Sequence, residues 1–155
     1  MDVHETDIDG VLRFVPQPHR DARGLFTRTF DAAIGARHKV VFGPGSQDSQ
    51  SRSEPGVLRG LHGRLGDGES KLVRVSAGAV LDVVVDARPT SPTFGRHIAV
   101  VLDDQEFAAC TASRCCAARR TCSTASTGPT TRPRMSRCVT TTRTWASRGG
   151  PARWS

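Results

Sequence analysis

Apolar and polar residues alternate in short runs through the first two thirds of the chain, and a period of two predicts strands. Residues 11–16 (VLRFVP) read as a short strand stopped by Pro16 and Pro18, because proline removes a ladder donor. Residues 21–24 read as a turn, after which Leu25, Thr27 and Thr29 alternate with Phe26, Arg28 and Phe30. Residues 31–35 predict a single helical turn. The Gly-, Ser- and Gln-rich stretch 43–53 has no apolar period and predicts a loop leading into GVLRGLHGR. Strand-like runs then fill KLVRVSAGAVLDVVVDAR and FGRHIAVVLDD, broken at Ala77-Gly78 and at residues 88–95. In LDVVVDAR, Leu81, Val83 and Val85 share one face and Asp82, Val84 and Asp86 the other. Many short strands with little helix signal predict an all-β sandwich or barrel such as a jelly roll.

This pattern stops at Phe107. Residues 108–155 contain no Leu, Ile or Phe, their one β-branched aliphatic is Val139, and they carry ten threonines. Charge divides at the same place. All 15 acids lie before residue 108 with 13 Lys and Arg, a balance of −2, whereas residues 108–155 hold nine arginines and no acid, a balance of +9. Such a segment cannot bury enough apolar area to offset its ordering entropy, so disorder is the expectation for it. Two units follow: 1–107, a β domain, and 108–155, a basic tail. The five cysteines (Cys110, Cys115, Cys116, Cys122 and Cys138) all lie in the tail, odd in number and with no histidine beyond His97. Neither a disulfide framework nor a Cys/His zinc site is expected. The polar N-terminus resembles no leader peptide, and no apolar run approaches the ~20 residues of a membrane span, so a cytoplasmic protein is expected.

The chemistry-bearing residues cluster between Gln47 and Gly95. His62, with Arg59 and Lys71 near it in sequence, suits proton abstraction beside a ketone. A neutral imidazole can act as the base near neutral pH, and a cation can hold charge developing on an enolate oxygen. A guanidinium fork matches the oxygens of a diphosphate. A lone histidine in a strand also reads as a surface or packed residue, and spacing leaves both readings open. For Asp82 and Asp86, strand polarity and barrel hydrogen bonds are the expected role. For Phe26, core packing is the simpler account.

The strings DARGLFTRTF, QDSQSRSEPGVLRGLH and KLVRVSAGAVLDVVVDARPTSPTFG together resemble the dTDP-4-dehydrorhamnose 3,5-epimerase family over about residues 8–107. The resemblance implies a cupin-type double-stranded β-helix (a jelly roll) that binds a dTDP-4-keto-6-deoxyhexose without a metal cofactor, and a homodimer with exchanged strands. It makes His62 the general base, Lys71 the stabiliser of the enolate, Arg23 and Arg59 contacts to diphosphate and sugar, and Gln47 a residue that seats the ligand. Phe26 then has a second reading, against the thymine base. Arg28 stands where the family commonly has Glu, and Ser49 where it commonly has Asn. The setting is deoxysugar supply, for rhamnose in an envelope or for a glycosylated secondary metabolite.

After LDDQEF the family continues with a strand, a His-Gly-Phe segment and a strand carrying the tyrosine that returns the proton; this chain has no tyrosine. The expected fold is therefore incomplete at its C-terminus, and the expected activity of the chain as written is low. Reading the GC-rich codons of residues 111–128 one base earlier can give HGFQVLRGPADVLYRIDR, as the family has there, so residues 108–155 read as out of frame. Two other classes remain to be tested: a cupin that binds a nucleotide sugar without turning it over, and nucleic-acid binding through the arginine-rich tail, which lacks lysine and a binding motif.

Overall fold

The computed structural model describes residues 1–63, 69–112, 116–122 and 138–145, with the backbone alone for most of the last two stretches. Among these residues the chain forms β1 (Asp2–Glu5), β2 (Leu12–Val15), β3 (His19–Asp21), β4 (Gly24–Phe26), α1 (Ala32–Arg37), β5 (Gln47–Ser53), β6 (Leu58–His62), β7 (Ser70–Ala77), β8 (Ala79–Asp86), β9 (His97–Asp103), β10 (Ala109–Ala112), β11 (Cys116–Cys122) and β12 (Cys138–Trp145). A six-stranded sheet runs β1-β2-β10-β7-β12-β5, and a four-stranded sheet runs β6-β11-β8-β9. The β3–β4 hairpin pairs with itself. Neighbouring strands in both sheets are antiparallel.

The two sheets face one another because β7 and β8 are successive strands in different sheets. Between them Gly78 turns the chain at φ 81°, a conformation that glycine adopts without a Cβ clash. Its N–H donates to the Asp104 carboxylate at 2.8 Å, and the Asp104 N–H returns a bond to the Gly78 carbonyl. Alternation along β7 then sends Val73 and Val75 inward to meet Val80, Val84 and Leu102 of the facing sheet, with Ile8, Val11 and Cys110. Leu72 points the other way, with Leu12, Phe14, Val40 and Ala109, under a cover of Phe30, Ile34 and Phe42. The six-stranded sheet is thus packed on both faces at β7 and β10. Asp31 caps α1 by accepting from the Ala33 and Ile34 N–H groups, and Phe30 packs against Phe14 and Phe42 with centroids 5.6 and 4.6 Å apart.

On β8 the acid-bearing face is the inner one: Asp82 and Asp86 are buried with Val80 and Val84, while Leu81 is exposed. Burying Asp86 is tolerable because its carboxylate accepts from the Arg88 backbone N–H, from Arg88 Nε and Nη2, and from the Ser91 and Thr93 hydroxyls. Arg88 also donates to the Asp9 carbonyl. The run DARPTSPTFG is thus a self-bonded loop that fastens the 7–10 turn.

Two expectations fail. Residues 47–53 form a strand, not a loop; β5 is paired along its length by backbone bonds to β12, and its mainly exposed side chains leave no apolar period to read. Phe26 is 72% exposed and does not belong to the core, because the β3–β4 hairpin stands off the sheets. Part of the tail expected to be disordered also pairs as strands. β10 lies between β2 and β7, β11 between β6 and β8, and β12 between β7 and β5. Backbone N–H and C=O groups carry that pairing whatever the side chains are, and neither β11 nor β12 contains Gly or Pro. The remainder of the tail, 113–115, 123–137 and 146–155, lies outside the described residues. Among the described residues no helix is long and apolar enough to cross a membrane.

Candidate functional site

Lys71 stands near the start of β7, two residues before Val73, and so shares the inward face of the six-stranded sheet. Its side chain is mostly buried, and Nζ lies 3.5 Å from Oε2 of Glu69, an acid two residues away that also leans inward. Backbone register carries the row outward: Lys71 pairs with Thr144, and Thr144 with Gln47. Residues in register point to the same side of a sheet, so Gln47 presents its amide on Lys71's face, about two strand spacings (~10 Å) away. Ser49 follows along β5, level with Thr142 and Val73.

His62 and Arg59 come from the facing sheet. Separated by three positions, they would point to opposite faces of a regular strand. The ladder between β6 and β11 shifts register here: His62 pairs with Ala118 and Arg59 with Arg120, so three steps on β6 oppose two on β11. Gly60, at φ 108°, lies in the extra step. β11 in turn sets Ala118 against Val84 and Arg120 against Asp82, both inward-facing residues of β8. The bulge therefore returns Arg59 and His62 to one inner face. Lys71 and Val84, which is level with His62, lie at comparable distances along their strands from the Gly78 turn that joins them. Register thus sets Gln47, Lys71 and His62 toward one end of the space between the sheets, whereas the Arg59 guanidinium reaches the Ser53 end of β5, away from Gln47.

Arg59 is further fixed, with Nε donating to Ser53 Oγ at 2.9 Å and Nη2 to the Arg52 carbonyl at 3.3 Å. Arg23 is not brought to this group. It lies at the tip of the β3–β4 hairpin, 89% exposed, and binds Asp21, whose carboxyl it holds below the usual carboxylate range. Phe26, at the end of the same hairpin, borders a cleft of about 310 Å³ with His19, Arg28, Asp31 and Ile34. There Arg28 bonds Asp31 at 2.7 Å and lowers its pKa.

A sequence model of dTDP-4-dehydrorhamnose 3,5-epimerase matches residues 5–119, well over half the chain. The chain belongs to the dTDP-4-dehydrorhamnose 3,5-epimerase family. It is 43% identical to the dTDP-4-dehydrorhamnose 3,5-epimerase of Shigella flexneri over 108 residues, which are 66% of this chain and 57% of that protein. The chain spans about half the length of the curated relatives it matches. Among solved structures it resembles the Mycobacterium tuberculosis epimerase, with a TM-score of 0.79 and 31% identity over 96% of this chain and 70% of that one. It also resembles a Legionella pneumophila 3,5-epimerase in complex with dTDP-4-keto-L-rhamnose, with a TM-score of 0.80 and 28% identity over 96% and 73%. The all-β, cupin-type fold expected from the sequence is thereby established. The match also reaches past residue 107, where the resemblance read from the sequence ends.

Two side chains of this epimerase-family chain escaped sequence reasoning. Glu69 could have been found, since it precedes Lys71 by two residues and shares its face. Ser53 could not, because its partner Arg59 lies across a turn and in another sheet.

Proposed function

We propose that the chain binds a dTDP-4-keto-6-deoxyhexose between its sheets and takes a proton from the carbon next to the ketone. The observation that supports this reading is the register of β6, which sets His62 level with Val84 on the sheet facing the row of Lys71 and Gln47, while the Arg59 guanidinium lies toward the Ser53 end of β5. In the proposed step, a neutral His62 nitrogen accepts the α-proton as the C–H pair moves into the C=C bond of an enolate. The Lys71 ammonium donates a hydrogen bond to the former ketone oxygen and stabilises its charge. Arg59 engages the diphosphate, Gln47 seats the sugar, and Arg23 adds charge from the hairpin. The reaction is that of a 3,5-epimerase, or of an enzyme epimerising one of the two carbons, working in the cytoplasm as a homodimer.

Reprotonation from the opposite face needs a second acid, which a family tyrosine supplies and this sequence lacks. Exchange without net inversion is therefore expected, and residues 108–155 are proposed to be an out-of-frame reading of the epimerase C-terminus. The test is incubation of the protein with dTDP-4-keto-6-deoxyglucose in deuterated water, followed by NMR at carbons 3 and 5. Deuterium uptake that is lost in His62→Ala, with little inverted product, is the expected result; no uptake together with no binding of the sugar nucleotide would sink the proposal. Resequencing the codons for residues 107–111 decides the frame.

A further inference from the structure

Ser53 closes β5 at the end far from Gln47, and the chain then leaves the six-stranded sheet for β6 of the facing one. The turn is tight, with the Val57 N–H bonded to the Glu54 carbonyl at 3.3 Å and Gly56 at φ 78°. Arg59 reaches back across it, giving Nε to the Ser53 hydroxyl at 2.9 Å and one Nη2 proton to the Arg52 carbonyl at 3.3 Å. A guanidinium has five N–H bonds in a rigid fork. These two contacts take the Nε proton and one on Nη2, leaving both Nη1 protons and the second on Nη2 for another partner. Ser53 is partly buried whereas Arg59 is exposed, so the hydroxyl is the better-fixed member of the pair. A long, exposed arginine would otherwise sample many rotamers, and ordering it on binding would weaken a complex.

We infer that Ser53 is a positioning residue: it holds the Arg59 guanidinium with its terminal nitrogens turned toward a diphosphate-bearing ligand. The ligand's identity rests on the proposed function, but the positioning does not. Nothing in this arrangement requires Ser53 to touch the ligand.

The test compares the full-length protein with its Ser53→Ala and Ser53→Thr variants by three readouts. The first is hydrogen exchange of the Arg59 Nε–H by NMR, the signal being assigned from its loss in Arg59→Lys. The second is the dissociation constant for dTDP, and the third is the thermal midpoint. Ser53→Ala is expected to speed Nε–H exchange several-fold and weaken dTDP about fivefold, the size of one hydrogen bond. Ser53→Thr, which keeps the hydroxyl, is expected to restore both while the midpoint stays level. Unchanged exchange in Ser53→Ala overturns the inference, as does a fall in midpoint with no rescue by threonine. If no form binds dTDP, the proposed function fails, and the exchange rates alone still decide whether Ser53 positions Arg59.

Discussion

Asp86 accepts five hydrogen bonds from three residues while fully buried. The Arg88 guanidinium, aided by the two hydroxyls, outweighs desolvation and holds its carboxyl well below the usual carboxylate range. Because the native group titrates below its unfolded value of about 3.9, its contribution is complete above that value and is lost as pH falls through the folded one. Asp86→Asn cannot satisfy the same donors and removes the buried charge partner of Arg88, leaving the longer 3.8 Å pair with Asp9. It should cost about 3 kcal/mol or more, and the variant's melting temperature should fall less steeply than wild type below pH 4. A variant as stable as wild type at pH 7 would contradict this. Gly35 makes a sharper case. A Cβ there would sit 2.5 Å from the Phe30 ring and 2.8 Å from the Val40 carbonyl, and the backbone oxygen cannot rotate away. Gly35→Ala should therefore lower stability by roughly 1–3 kcal/mol, measured by urea unfolding, although alanine is the better helix former. Removing the α1 cap with Asp31→Ala should cost about 1 kcal/mol in the same assay, and it also releases Arg28.

At the scale of elements, β10, β11 and β12 are interior strands. Each is hydrogen-bonded on both sides, and without them β2 has no link to β7, β6 none to β8, and β5 none to β7. Truncation after Phe107 should therefore abolish cooperative thermal unfolding, not trim a dispensable tail; a sharp transition in the truncated protein would show that pairing unnecessary. Here lies the limit of what could be read from the chain. β2, β8 and β9 were legible because each shows its buried face as alternation, as Leu12 and Phe14 do on β2, and β7 because apolar residues fill both of its faces. The turn at residues 21–24 and the helix after Asp31 were legible from their capping and turn residues. β5, β11 and β12 were not, since backbone pairing leaves no mark on side-chain pattern. The site divides in the same way. His62, Lys71, Arg59 and Gln47 could be named from their strings, but a three-residue spacing gives no sign of the bulge that aligns His62 with Arg59, and Arg23's distance from them depends on where the hairpin stands.

For the molecule as a whole, β7 is the strand on which the six-stranded sheet turns. It was made before either of its neighbours, β10 and β12, and β2 likewise waits for β10, with the Leu12 N–H donating to Thr111 Oγ1 across 99 positions of sequence. A nascent chain can therefore settle the β8–β9 hairpin early but cannot close the larger sheet until its last third is available. Contacts of this separation place folding in the millisecond-to-second range of β sandwiches. During that interval the apolar faces of β2 and β7 lack their bridging strand, so refolding yield should fall as protein concentration rises.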